Sequence, residues 1–285
     1  MSEFKRKVAV VTDSTSSLTQ AIGKEYGLHI IPEYVIFGDQ TYQDGINLDA
    51  ETFYPLLKNS KKLPTTSQPS VQDFVKLYSD LSQEAEAIVS IHISQKMSAT
   101  LDSARAACQQ LPGVAIQVID SQSVSMGLGL IAIAAARAAA AGKEFGEVVA
   151  LVEELIPKTN VIFTVETLEY LYKGGRIGGA TALMGSVLSI KPVLYLKDGR
   201  IEPLEKVRTK KRATDRVLEL MTERVGESNS VHAAIMHCSI PEEAAALGKE
   251  VTARFQPAEL LITDAGPIIG THAGPGTLGI VFYRE

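Results

Sequence analysis

Residues 7–18 read KVAVVTDSTSSL, a short β-branched run followed by a turn rich in hydroxyls and carrying one carboxylate. A continuous apolar run of this length suits a strand covered on both faces, as at the centre of a parallel sheet. A helix pattern follows at once. Leu18 and Ile22 share a face, Ser16 or Ser17 stands where an N-cap is needed, and Gly27 supplies a C-terminal stop. Strand, polar loop and helix in this order open a βαβ unit.

The same grammar repeats downstream. HIIPEYVIF (29–37) is extended, with Pro32 favouring an edge or a bend. Ser70-Val71-Gln72-Asp73 is a capping-box-like start, and Phe74, Leu77, Tyr78 and Leu81 follow at helical spacing. AIVSIHI (87–93) is a strand, SATLDSARAACQQL (98–111) a helix capped by Ser98, and AIQVID (115–120) another strand. An alanine-rich helix begins near Ser125. Alternating strands and helices predict an α/β/α sandwich around a parallel sheet.

The second half differs. In KPVLYLKDGRIEPLEKV (191–207), Asp198-Gly199 joins two strands as a hairpin. Helices begin near Lys210 and Pro241, with strands at VHAAIMHC (231–238), ELLITD (259–264) and TLGIVFY (277–283). This predicts an α+β domain with a mainly antiparallel sheet. The boundary falls near Pro157–Asn160, giving domains 1–158 and 159–285.

Composition narrows the function. The chain has 285 residues and a formal net charge of -5, which argues against general nucleic-acid binding. Cys108 and Cys238 form no ligand cluster, so a zinc site is not expected, and two separated thiols suit a reducing cytoplasm. The apolar stretch 127–142 is broken by Arg137 and is too short to span a bilayer. A soluble protein is expected, with no stable membrane insertion.

In open α/β sheets, ligands bind beyond the carboxyl ends of the strands. Four hydroxyl-rich loops are candidates: 12–17 with Asp13 and Ser14, 64–70 with Thr65, Thr66 and Ser67, 94–100 with Ser94 and Ser98, and 121–125. Singly, such residues cap helices and make turns. Together they suggest a polar cavity. No nucleophile elbow and no Walker A motif occurs, GGRIGG (174–179) follows a helix pattern instead of a strand, and His92 lies within a strand. Neutral donors suit a buried carboxylate, and Thr66 and Ser98 are the best placed. Leu183, Met184, Val187, Leu188 and Ile190 are either plain core or the wall of an acyl pocket.

VTDSTSSL (11–18), PTTSQPS (64–70), VIDSQSVSMGLGL (118–130), FTVETLEYLYKGGRIG (163–178), SIKPVLYLKDGRIEPLEKVRTKKRA (189–213) and THAGPGTLGIVFY (271–283) occur in one order along nearly the whole chain. They resemble the DegV family of bacterial fatty-acid-binding proteins. The resemblance implies a two-domain lipid binder without cofactor or metal, itself no enzyme. It implies a buried long-chain fatty acid whose carboxyl meets Thr66 and Ser98, with Thr65, Ser67 and Ser94 nearby and His272 beside it. Glycines 270, 274 and 276 would let backbone pass close to the head group. The family role is to present the acid to a separate ATP-dependent fatty acid kinase subunit, whose acyl phosphate enters phospholipid synthesis. Arg176 and Arg208 would face that kinase or its nucleotide. Met97-Ser98-Ala99-Thr100 departs slightly from the family's Leu-Ser-Gly-Thr. Two other readings stand beside this one: a hydrolase using Ser98 or Ser14 with His272, and a binder of a small phosphorylated metabolite using the glycine loop and Arg176.

Overall fold

A computed structural model describes residues 5–226 and 230–284, with the backbone alone for 185–189. The first half runs β1 (Arg6–Asp13), α1 (Gln20–Tyr26), β2 (Leu28–Ile31), β3 (Tyr34–Phe37), β4 (Gln40–Gln43), α2 (Ala50–Asn59), β5 (Thr65–Ser67), α3 (Val71–Glu84), β6 (Ala85–His92), α4 (Thr100–Gln109), β7 (Ala115–Asp120), α5 (Met126–Ala140) and α6 (Phe145–Lys158). The second half runs β8 (Asn160–Thr164), α7 (Glu169–Lys173), a 3-10 stretch (Gly178–Ser189), β9 (Lys191–Lys197), β10 (Arg200–Val207), α8 (Lys210–Val225), β11 (Val231–His237), α9 (Pro241–Phe255), β12 (Glu259–Asp264), α10 (Gly266–Ala273) and β13 (Leu278–Arg284).

Three sheets result. The order β2-β1-β6-β7 is parallel throughout, with β1 in register against β6 at Val10 and Val89. The order β10-β9-β8-β13-β11-β12 is antiparallel except for the β11–β12 pair. Strand β13 lies inside that sheet, with Ile280 opposite Ile162 on one side and Ile235 on the other. This central position explains its apolar run.

The faces of the six-stranded sheet divide by strand alternation. Ile162, Ile235 and Ile280 join the core under α8 and α9, while Val161, Phe163 and Met236 join the larger core that also holds α5. Helix α5 packs on β1 and also on β11 and β13, so it is covered on opposite sides. That is why it is apolar all round, and its alanines let two sheets approach one helix.

The hairpin at Asp198-Gly199 forms with φ of 49° and 75°, the paired positive angles of a tight twisted turn. Ser70 and Asp73 complete a full capping box. Three local expectations change. Helix α1 is capped by Thr19, not Ser16 or Ser17, because the chain first makes a 3-10 turn at Ser14–Ser16 anchored by Asp13. Helix α4 starts at Thr100, and its N-cap position is Ala99, one residue after Ser98. The stretch at 65–67 is strand β5, not loop, because it pairs antiparallel with β3, placing Thr66 opposite Val35.

Candidate functional site

A cavity lies among the ends of these elements. Its apolar lining comes from Val161 and Phe163 of β8, Met236 of β11 and Ile201 of β10. Ile93, Met97 and Val124 of the loops after β6 and β7, Leu171 of α7, and Ile268, Ile269 and Ala273 of α10 complete it. Its polar lining is Glu33, Thr66, Ser98, Ser125, Arg176 and His272.

Most of the polar residues are linked. Thr66 Oγ1 is 2.8 Å from His272 Nε2, across 206 positions of sequence. Helix α10 ends just past His272, where Gly274 adopts φ of 80°. The other ring nitrogen, Nδ1, is buried without a hydrogen-bond partner among the described residues. It rests on Gly174, where a Cβ would lie only 2.3 Å away. A bare acceptor costs less to bury than a bare N–H, so the proton belongs on Nε2 and points at Thr66. Burial, and then the charge of Arg176, lower the His272 pKa to about 4, which keeps the ring neutral at ordinary pH.

Ser98 Oγ is 2.8 Å from Thr100 Oγ1, which in turn donates to Glu33 Oε1 at 2.5 Å. Arg176 is held by backbone, with Nε donating to the Met97 carbonyl at 3.0 Å and Nη1 to that of Gly174 at 2.7 Å. Its charge therefore remains uncompensated by those two bonds. Ser125 stands apart from this group, bonded to Ser17 Oγ at 2.8 Å and held at φ of 54° and ψ of -144°. That is a strained backbone for serine.

Other residues singled out from sequence lie elsewhere. Ser94 is fully buried and donates to the Gly199 carbonyl at 2.9 Å, clamping the tip of the β9–β10 hairpin. Ser67 donates to the Gln68 carbonyl, and Thr65 is exposed. Alternation along β5 turns both away from the direction of Thr66. Leu183 packs into the large core and Met184 against it, and neither they nor Ile190 line the cavity. The side chains of Val187 and Leu188 lie outside the described residues. Arg208 is exposed and does not line the cavity either, while its neighbours Lys210 and Arg212 pair with Glu243 and Glu219. Glycines 270, 274 and 276 abut Phe53, Tyr170 and Glu166, so their missing Cβ atoms make room for protein side chains.

A hydrolytic arrangement is not assembled. His272 pairs with Thr66, and neither Ser98 nor Ser14 is bonded to it. An Asp-His-Ser chain does occur, since Asp13 Oδ2 is 2.9 Å from His92 Nδ1 and His92 Nε2 is 2.7 Å from Ser90 Oγ. All three residues are 0% exposed, and Ser90 is also bonded to Tyr78 at 2.8 Å. No substrate reaches that serine without unfolding the core. The GGRIGG segment follows α7, as a dinucleotide loop would not.

The family model described as "Uncharacterised protein, DegV family" matches residues 7–285. This chain belongs to the DegV family. A DegV domain-containing protein of Halalkalibacterium halodurans is 38% identical over 280 residues, covering 98% of this chain and 99% of its own. A solved structure of a DegV family protein from Thermus thermophilus, described as fatty acid binding, superposes with a TM-score of 0.93 at 35% identity, covering 98% of this chain and 100% of that one. DegV of Bacillus subtilis, described as a fatty acid binding protein, superposes with a TM-score of 0.92 at 35% identity, covering 99% and 100%.

Within this DegV chain, sequence reasoning missed Glu33 and Asp44. Glu33 is 3% exposed and Asp44 4%. Burial, reinforced by Asp13, pushes the Glu33 carboxyl well above its usual range, and burial raises Asp44 to about 7. Glu33 interrupts the apolar stretch 29–37 next to a proline and Asp44 sits in a polar turn segment, so neither residue's type announces its burial. Arg176 was legible as a functional cation, but not as part of the lining.

Proposed function

We propose that this protein binds a long-chain fatty acid in the cavity and presents its carboxylate to a separate ATP-dependent kinase subunit. The observation that carries the reading is the Thr66–His272 pair, set with Ser98 at the polar end of a largely apolar cavity. His272 donates through Nε2, so Thr66 Oγ1 is an acceptor there and keeps its own hydrogen for the carboxylate. Ser98 supplies a second hydroxyl, and Arg176 adds a positive charge to the same lining. The tail contributes about 0.8 kcal/mol per buried CH₂, on the order of 10 kcal/mol for a long chain before ordering costs.

In the partner reaction, a carboxylate oxygen attacks the γ-phosphorus of ATP, the bond to ADP breaks, and an acyl phosphate forms. This chain supplies binding and orientation, with no cofactor or metal of its own. Thr65, Ser67 and Ser94 serve as supports of the Thr66 and Ser98 segments, and Arg176 and Arg208 face the kinase. We read residues 1–158 and 159–285 as the two units flanking the acid, since the parallel strands end by Asp120 and the six-stranded sheet begins at Asn160. Free thiols fit a cytoplasmic setting. Among the described residues no helix is long and apolar enough to cross a membrane.

Native mass spectrometry of the purified protein tests the reading. A retained fatty acid that His272→Ala holds less tightly is the expected result. A protein that retains no acid and takes up none on addition would overturn it.

A further inference from the structure

Glu33 lines the cavity but has no task in the binding scheme above. Its Oε1 bonds to Thr100 Oγ1, which bonds to Ser98 Oγ. Each hydroxyl in this row has one hydrogen to give, so donation runs one way along it. When Glu33 is ionised it can only accept. Thr100 then donates to Glu33, Ser98 donates to Thr100, and Ser98, whose Oγ also accepts the Thr100 N–H at 3.3 Å, meets the cavity with one lone pair and no hydrogen. When Glu33 carries a proton, it donates to Thr100 and Thr100 donates to Ser98. The Ser98 hydrogen is then free to point at a bound anion.

The surrounding charges favour the same conclusion. Asp13 on β1, Asp44 after β4 and Arg176 after α7 act on Glu33. Asp13 accepts from the N–H groups of Thr15 and Ile93 at 3.0 Å each and faces His92. Asp44 is bonded to Ser14, whose Oγ accepts the Glu33 N–H at 3.0 Å. His272 of α10, also in the lining, is neutral at ordinary pH. Two further buried carboxyl groups thus act on Glu33, against one guanidinium. A ligand carboxylate added beside an ionised Glu33 meets repulsion in a medium that screens it poorly. Beside a protonated Glu33 it meets a donor.

We propose that Glu33 is a proton switch for the site: it must be protonated for Ser98 to accept a carboxylate ligand, so the acid binds together with a proton. This rests on the head-group reading above. Burial raises the Glu33 pKa, which brings the switch toward the working pH of the protein.

The test is calorimetric titration of the full chain with decanoate and with decan-1-ol from about pH 6 to about pH 9, where the acid itself stays ionised. In the wild type, decanoate affinity should fall with rising pH, approaching about tenfold per unit above the Glu33 titration. Decan-1-ol, which can donate or accept, should show no such slope. Glu33→Gln keeps a donor toward Thr100 and should bind decanoate with a much flatter profile than the wild type, while Asp44→Asn, which removes a carboxylate that raises Glu33, should move the fall in affinity to lower pH without abolishing it. Independently of any variant, repeating the wild-type titration in buffers of different ionisation enthalpy should show proton uptake approaching one per decanoate at the alkaline end. A flat wild-type profile without proton uptake, or a Glu33→Gln protein with the wild-type slope, would overturn the switch. Failure of the underlying head-group reading looks different: Thr66→Ala and Ser98→Ala would bind decanoate as tightly as wild type at every pH.

Discussion

Two clusters in this molecule are built from similar residue types, each around a histidine, His92 buried and His272 partly buried. In the first, His92 has a partner on both ring nitrogens, Asp13 and Ser90, and Tyr78 closes the row. Asp13 also receives two backbone N–H groups. In the second, His272 has Thr66 on one nitrogen and no partner on the other among the described residues, and Ser98, Glu33 and Arg176 share a cavity with it. A fully satisfied polar network inside a core rigidifies it. In the second cluster the spare capacity lies in the hydroxyls, since Thr66 keeps its hydrogen when His272 donates to it. Residue type alone does not separate structural histidines from binding ones; completeness of partnering does.

The sharpest way to break that comparison is to remove the hub of the complete cluster. Asp13→Ala strands the Thr15 and Ile93 N–H groups and the His92 ring, and should cost about 3–5 kcal/mol of unfolding free energy. Denaturant melts would read this directly. An Asp13→Ala protein as stable as wild type would contradict a structural role.

The incomplete cluster should respond to acid. His272 has a folded pKa of about 4, below its unfolded value of 6.5. Its contribution to stability is therefore fully present above pH 6.5 and is lost as pH falls through about 4, by up to about 3 kcal/mol. Glu33 and Asp44 act in the opposite sense, because their folded pKa values are raised: their contribution is full at acid pH and lost as pH rises, for Asp44 through about 7. Comparing the wild type with His272→Gln from about pH 7 to about pH 4 isolates the histidine. The variant should lose less stability across that window.

At neutral pH the same residue should matter for the ligand. His272→Ala should weaken fatty-acid binding by about 0.5–1.5 kcal/mol, the worth of the neutral hydrogen bond that orients Thr66 toward the head group. Isothermal titration of the variant against the wild type gives the difference. The smallest structural effect is expected at Arg208, which is exposed. Arg208→Ala should leave stability within about 0.5 kcal/mol and acid affinity unchanged, while slowing acyl phosphate formation if assayed with the proposed kinase subunit. Normal turnover in that variant would remove Arg208 from the docking face.

What could be read from the sequence had a local cause. The run at 8–12, the Ser70–Asp73 capping box and the Asp198-Gly199 turn carry their conformations in a few adjacent residues, and each forms as expected. Strand β5 does not, because Thr65–Ser67 has no apolar alternation and becomes a strand by pairing with β3. The cavity wall is harder still. Leu183 is as apolar as Phe163 or Met236, but the lining is chosen by which strand face and which helix end converge, and that is a property of the whole fold. Glu33 follows a proline in an extended segment and reads as surface. Its burial depends on the turn after β1, the start of α4 and the residue after β4 meeting around it.

The account's central claim concerns where an acid's head group lies. A crystal structure of the full chain with a bromine-tagged long-chain fatty acid tests it most directly. The expected result is a carboxylate within about 3 Å of Thr66 Oγ1 and Ser98 Oγ, with the bromine among the side chains of β8, β11 and α10. A head group seated anywhere else, with Thr66 still bonded to His272 alone, would contradict it.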